Sequence, residues 1–156
     1  MPYPIHLFLL FIIMSSLLSA CGGPRYHVRG EPPRLDIDNL EYHLDSLSIT
    51  LAIRNVNDRT LEIRALNITM QLDGELLANA EHDGVFDIPA RSRELLRMDA
   101  NPQTAGLNRL EALVDGDPSS MRWELEAVLT DHRGRDRQVE GNGWLHAVPG
   151  QEHRFR

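Results

Sequence analysis

The chain opens on an uninterrupted apolar run, Leu7 to Met14, which continues through Leu17 and Leu18 to the small residues Ser19 and Ala20. Its character then changes abruptly at Cys21, Gly22, Gly23 and Pro24. The run falls short of the about 20 apolar residues needed to cross a bilayer core, and glycine and proline break any helix there. An apolar segment leaving through small residues is the pattern of a secretory signal, so residues 1–20 are expected to be a cleaved signal peptide. Residues 21–33 are rich in Gly, Pro and charge and carry no sustained apolar period. They are expected to form a flexible tether, holding the rest of the chain roughly 20 Å from its point of attachment.

Period-two alternation begins after Pro33 and is clearest at Leu47, Ile49, Leu51 and Ile53, with Ser48, Thr50, Ala52 and Arg54 facing the other way. Asn55, Val56, Asn57 and Asp58 interrupt that strand with turn chemistry. Alternation resumes at Leu61 and Ile63, and a change of phase near Ala65 predicts a β-bulge. Asp73-Gly74 predicts a tight hairpin, because both residues tolerate positive φ, with a return strand through Leu76, Ala78 and Ala80. Further strands are predicted over 94–100, 121–129 and 137–148. One helix is expected between them: Asn101 caps it, Pro102 occupies its first turn, Leu107, Leu110, Leu113 and Val114 form its apolar stripe, and Gly116 ends it. The expected fold is mainly all-β, an antiparallel β-sandwich over residues 34–149 with one short helix, followed by a frayed tail at 150–156.

Length admits one domain plus leader and tether. All 16 basic residues are arginine, and the 23 carboxylates give a net charge of −7 that lies wholly after residue 20. Such an acidic domain is an ill-suited partner for nucleic acid. The single cysteine excludes an internal disulfide, and its position explains it. Leu18-Ser19-Ala20-Cys21 resembles the lipobox of bacterial lipoproteins. That resemblance implies removal of the leader after Ala20 and diacylglycerol plus acyl lipid on Cys21, which would make membrane lipid a partner, with an envelope protein or lipid as a further candidate. Two or more acyl chains anchor firmly where one does not. The segment before the apolar run lacks the Lys or Arg that such leaders carry. Gly22 stands where the same group has Asp as an inner-membrane retention signal, so the periplasmic face of an outer membrane is the expected location in a double-membraned cell.

The order of strand, Asn55-x-Asn57, strand, Asp-Gly hairpin, then Phe86-Asp87-Ile88-Pro89-Ala90 and another strand is similar to the late-embryogenesis-abundant group 2 proteins, the water-stress and hypersensitive-response domain. The likeness spans roughly residues 33–148, with Val56 in place of the usual central proline. It implies a fibronectin-like or immunoglobulin-like sandwich, no catalytic residues, and a role in desiccation and other stress.

Candidate chemistry is sparse. No nucleophile elbow, phosphate loop, zinc spacing or calcium loop occurs, and no cofactor or metal is expected beyond the lipid on Cys21. Asp131-His132 reads as part of a solvated turn, and Asn55 and Asn57 read as turn-forming rather than ligand-binding. Asn67-Ile68-Thr69 matches a glycosylation sequon but sits inside a strand. Trp123 and Trp144 are expected in the core, and Arg91, Arg93 and Arg97 on a solvated face. The expected function is non-enzymatic: a membrane-tethered binding or protective module of the envelope. An envelope assembly or lipid-trafficking factor that holds acyl chains is the alternative, with an envelope hydrolase or its inhibitor resting on location alone.

Overall fold

The computed structural model describes residues 28–43, 46–151 and 153–156. The predicted signal peptide and Cys21 lie outside them. Among the described residues there are eight strands, β1 (Arg34–His43), β2 (Ser46–Arg54), β3 (Leu61–Leu72), β4 (Glu75–Ile88), β5 (Arg93–Pro102), β6 (Met121–Asp131), β7 (Asp136–Leu145) and β8 (Arg154–Phe155), with one helix, α1 (Thr104–Val114), between β5 and β6. All neighbours pair antiparallel, in the order β7-β6-β3-β4-β5-β2-β1-β8. The mainly-β fold with one short helix therefore stands as expected.

The sheet is continuous but curled. Along the strand order its halves, β7-β6-β3-β4 and β5-β2-β1-β8, are joined where Ala78, Asn79 and Ala80 of β4 meet Pro102, Asn101 and Ala100 of β5. Elsewhere the halves face each other as a sandwich, with Ile49, Leu51 and Ile53 of β2 and Leu66, Met70 and Leu72 of β3 wholly buried between them. Burying aliphatic side chains of this size stabilises by about 1.5–3 kcal/mol each.

Local detail follows the sequence in most places. The β3 ladder skips Arg64 against both neighbours, one residue from the predicted bulge. Asp73 (φ 47°) and Gly74 (φ 82°) make the hairpin. The return strand departs from expectation: pairing jumps between Met70–Ala78 and Gln71–Leu76, so Leu77 is the extra residue of a bulge. Leu77 and Ala78 both turn inward and Leu76 is left on the surface.

The helix also starts later than predicted. Asn101 and Pro102 belong to β5, and Gln103 precedes α1 without a side-chain cap, its amide bonded instead to the Leu77 carbonyl at 2.7 Å. Pairing of Asn101 with Asn79 outcompetes the capping role. Leu110 and Leu113 are buried as expected, whereas Val114 is exposed.

Trp123 is buried and Trp144 is 62% exposed, a correction to the core assignment of the latter. The cause lies in β7, where Gly141 and Gly143 occupy inward positions of the alternation. A Cβ on Gly143 would lie 2.8 Å from the Trp123 indole, and one on Gly141 would lie 3.3 Å from it. The Trp123 ring fills the space those side chains would take, and Trp144 points outward.

The tail is not frayed. Residues 154–156 bond to both sides: Leu40 and Glu41 of β1 pair with Phe155 and Arg154, while His146 exchanges backbone bonds with Arg156 and the Val148 amide donates to the Arg154 carbonyl. Because residues 146–148 continue from β7, this C-terminal hairpin ties one edge of the curled sheet to the other. Phe155 is 1% exposed, and the Arg154 guanidinium donates to Asn39 Oδ1 at 2.7 Å. Glu41 is held below the usual carboxylate range by its hydrogen bond with Asn39, with Arg154 and Arg97 adding to the effect.

Two substitutions test this packing. Gly106→Ala in α1 should destabilise although alanine is the better helix former, because its Cβ would sit 2.2 Å from Leu77 Cα. The expected loss is about 1–3 kcal/mol, read as a lower thermal midpoint. Phe155→Ala should cost about 3–5 kcal/mol, read in urea, and a truly frayed tail would give no change.

Candidate functional site

One end of the sandwich collects the entry of the chain and three loops: residues 28–33, the β2–β3 connection 55–60, the β4–β5 turn 89–92 and the β6–β7 turn 132–135. Asn55 and Asn57 are both here and both buried, at 0% and 8% exposure. A buried carboxamide must find partners for both its ends. The Asn55 amide hydrogens are shared among the carbonyls of Arg59 (2.7 Å), Ile88 (3.0 Å) and Pro89 (3.1 Å). Its Oδ1 accepts from the Asn57 backbone amide at 3.0 Å and from Asn57 Nδ2 at 3.1 Å. Among the described residues no buried side-chain polar atom lacks a partner.

Asn57 uses its remaining capacity on the incoming chain. Its Nδ2 donates to the Glu31 carbonyl and its Oδ1 accepts the Glu31 amide, each at 2.9 Å. The side chain thus pairs with Glu31 as a neighbouring strand would. Asp58 repeats the pattern, its backbone amide bonding the Val28 carbonyl at 3.0 Å while its Oδ2 accepts from the Val28 amide at 2.9 Å. Residues 28–33 are therefore fastened to the domain, a correction to the expectation that flexible tether runs to residue 33. The partnerships of Asp58 with Val28 and of Asn57 with Glu31 escaped the sequence reading, since an acidic residue after Asn-x-Asn gives no sign of a distant partner.

Beside this clamp a cleft of about 870 Å³ opens between the start of β1 and the middle of β7. Val28, Pro33, Leu35, Val56 and Val139 supply its apolar wall, and Glu31, Arg34, Gln138 and Asn142 its polar one. Val56, the residue in the proline position of the Asn-x-Asn turn, lines this wall. The two strands approach closely here without pairing, and Gly141 permits it: a Cβ would lie 2.9 Å from the Leu35 carbonyl oxygen. Such a surface suits a small amphipathic ligand or an extended chain segment.

The neighbouring turn holds Asp131 and His132, which face different partners. Asp131 accepts from the Arg133 and Arg135 amides and from the Arg135 guanidinium. His132 Nδ1 approaches Glu62 at 3.1 Å. The pair is thus a turn, as read from the sequence. Arg135, by its side chain first and its backbone amide second, holds the Asp131 carboxyl far below the usual carboxylate range.

The predicted arginine face is only partly solvated by water alone: Arg91 pairs with Asp58, Arg93 with Asp38, and Arg97 with Ser48 and Glu41. Asn67 is exposed on β3, and Thr69 bonds Asn79 across the β3–β4 hairpin at 3.0 Å. Leu18, Ser19, Ala20 and Cys21 lie outside the described residues. Among the described residues no group of three or more His, Cys, Asp or Glu is placed to hold a metal, and no helix is long and apolar enough to cross a membrane.

No protein-family model matches the chain, and no curated protein matches it by sequence. Solved structures do match in shape. An Arabidopsis thaliana protein known in solution covers 94% of its own length and 86% of this chain, at 12% identity and TM-score 0.57. A protein from Archaeoglobus fulgidus matches over 97% of its length and 76% of this chain, at 10% identity and TM-score 0.42. A candidate late embryogenesis abundant protein matches over 80% of its length and 91% of this chain, at 8% identity and TM-score 0.35. Of these three, the Arabidopsis thaliana likeness at TM-score 0.57 speaks to the fold.

Asn55→Ala should strand three carbonyls and one amide and cost about 3 kcal/mol or more, read by urea unfolding. Asn55→Asp should not rescue it, because a carboxylate cannot donate. For Asp131, the depressed folded-state carboxyl adds stability that is complete above the unfolded value of about 3.9 and is lost as pH falls through the lower folded value. Asp131→Asn should therefore lower the urea midpoint at pH 7 and converge with the parent chain in acid.

Proposed function

We propose that this chain is a bacterial envelope lipoprotein whose β-sandwich is a non-enzymatic binding or protective module of the water-stress type. The observation that carries the reading is Leu18-Ser19-Ala20-Cys21, with the chain's single cysteine at the position the lipid chemistry requires. Lipid on Cys21 attaches the domain to the periplasmic face of a membrane, the outer one in a double-membraned cell. The Asn55–Asn57 clamp supports the water-stress part, since the turn that resembles that family is also where the incoming chain is held. The domain needs no cofactor for this role. Its working surface is the cleft between β1 and β7.

That cleft also favours a second reading, an assembly or lipid-trafficking role, because Val28, Pro33, Leu35, Val56 and Val139 offer apolar surface to an acyl chain. Native mass spectrometry of the purified protein separates the two: a copurifying lipid supports the second, and its absence removes it.

Metabolic labelling with palmitate in a bacterial host tests the anchor. The parent chain should take up label and sediment with membranes, and Cys21→Ser should lose the label completely. Equal labelling of the two, or none in either, would sink the lipoprotein reading.

A further inference from the structure

Charge on this molecule is divided between its two ends. The segments at the entry end, residues 28–34, 54–62, 87–93 and 131–137, contain nine arginines and six carboxylates. The remainder of the chain holds seven arginines against 17 carboxylates. Arg29, Arg34, Arg54, Arg59, Arg133 and Arg137 are all exposed. At the opposite end Asp73, Glu75, Glu111, Asp115 and Asp117 are exposed alongside Arg109 and Arg122.

We propose that the arginine-rich entry end of the sandwich docks on a bilayer surface of anionic phospholipid headgroups, fixing the domain's orientation. The inference rests on the lipid-anchor reading, which supplies the bilayer. Cys21 lies seven positions before Val28, a span of at most about 25 Å. Whatever surface holds Cys21 therefore meets the entry end and not the acidic one.

The acidic remainder does not cancel this attraction. Screening limits surface electrostatics to about 8 Å at physiological salt, whereas strands of ten residues carry the chain about 33 Å away from the entry end. An anionic leaflet senses the near arginines, nine against the six carboxylates of the same segments and Asp38 beside Arg93, and is shielded from the carboxylates of the far end. A guanidinium also matches phosphate oxygens in a bidentate geometry that an ammonium lacks. Arg91, Arg93 and Arg135 are engaged by Asp58, Asp38 and Asp131, which leaves Arg59, Arg133 and Arg137, none of them paired with a carboxylate among the described residues, as the contacts of the 55–60 and 132–137 loops. Arg133 donates to His132 Nε2 at 3.1 Å through its Nε only. Arg137 donates to the Gly30 carbonyl at 3.1 Å through one nitrogen only.

The test uses the full chain as purified from an exporting host, incubated with vesicles of phosphatidylcholine alone or with phosphatidylglycerol added. Flotation measures attachment, and hydrogen exchange read by mass spectrometry measures which amides are covered. On phosphatidylglycerol vesicles the amides of 55–60 and 131–137 should slow, while those of 105–117 should not. The protection should vanish in 0.5 M salt. It should also weaken on the order of a hundredfold in Arg59→Glu/Arg133→Glu/Arg137→Glu, since each arginine contributes about fivefold, with exchange in β2 and β3 unchanged to show an intact fold. Flotation with both vesicle types and identical exchange would overturn the docking surface and leave the anchor standing. Binding to anionic vesicles alone, with the same loops protected, would overturn the anchor and support the surface. Protection that free inorganic phosphate abolishes at millimolar concentration would mean a single phosphate site and would also overturn the proposal.

Discussion

The geometry of this domain depends on one buried carboxamide. The chain crosses from one half of the curled sheet to the other at 55–60 and again at 89–92. Asn55 bonds both: to the Arg59 carbonyl in the first and to the Ile88 and Pro89 carbonyls at the second. Its backbone amide also extends the β2–β5 ladder by one bond, to the Ser92 carbonyl at 2.9 Å. Polar bonds thereby tie the two crossings to each other. Water cannot substitute for them at a site with no exposure. Asn57 then passes the same constraint to residues 28–31, so the direction from which the chain enters is fixed by the turn that holds the sandwich shut.

Much of this fold is legible in the sequence because a half-buried strand writes its own period. The alternation in β2, β3 and β6, the skip near Ala65 and the Asp73-Gly74 turn are each decided by neighbours close along the chain. The features that stay hidden depend on distant partners. Leu76 reads as inward until the bulge at Leu77 shifts the phase. Trp144 reads as core until Gly141 and Gly143 hand their space to Trp123. Asn101 reads as a cap until it finds Asn79 across the sheet. The turn chemistry of Asn55 and Asn57 is visible in sequence, but the clamp they make is not, because half of it is the main chain of Val28 and Glu31.

The site carries a similar lesson. The turn singled out by family likeness and the cleft found in the structure are adjacent, and Val56 belongs to both. A proline there would present a rigid ring to the same wall; valine offers a branched side chain on a backbone that keeps its amide. Function in such a domain is a property of the surface that the loops build on a stable sandwich. Here that surface is also the one through which the chain arrives.

Closure of the sheet by residues 154–156 has a consequence for the order of events in folding. Leu40 and Phe155 are brought together from opposite ends of the domain, and contacts of such long separation form slowly because so much chain must first be arranged. Until Phe155 arrives, the outer edge of β1 and the continuation of β7 are open backbone edges, the features that invite one chain to add to another. The final residues therefore act as the seal of the molecule, and a chain interrupted shortly before them would be nearly folded yet adhesive.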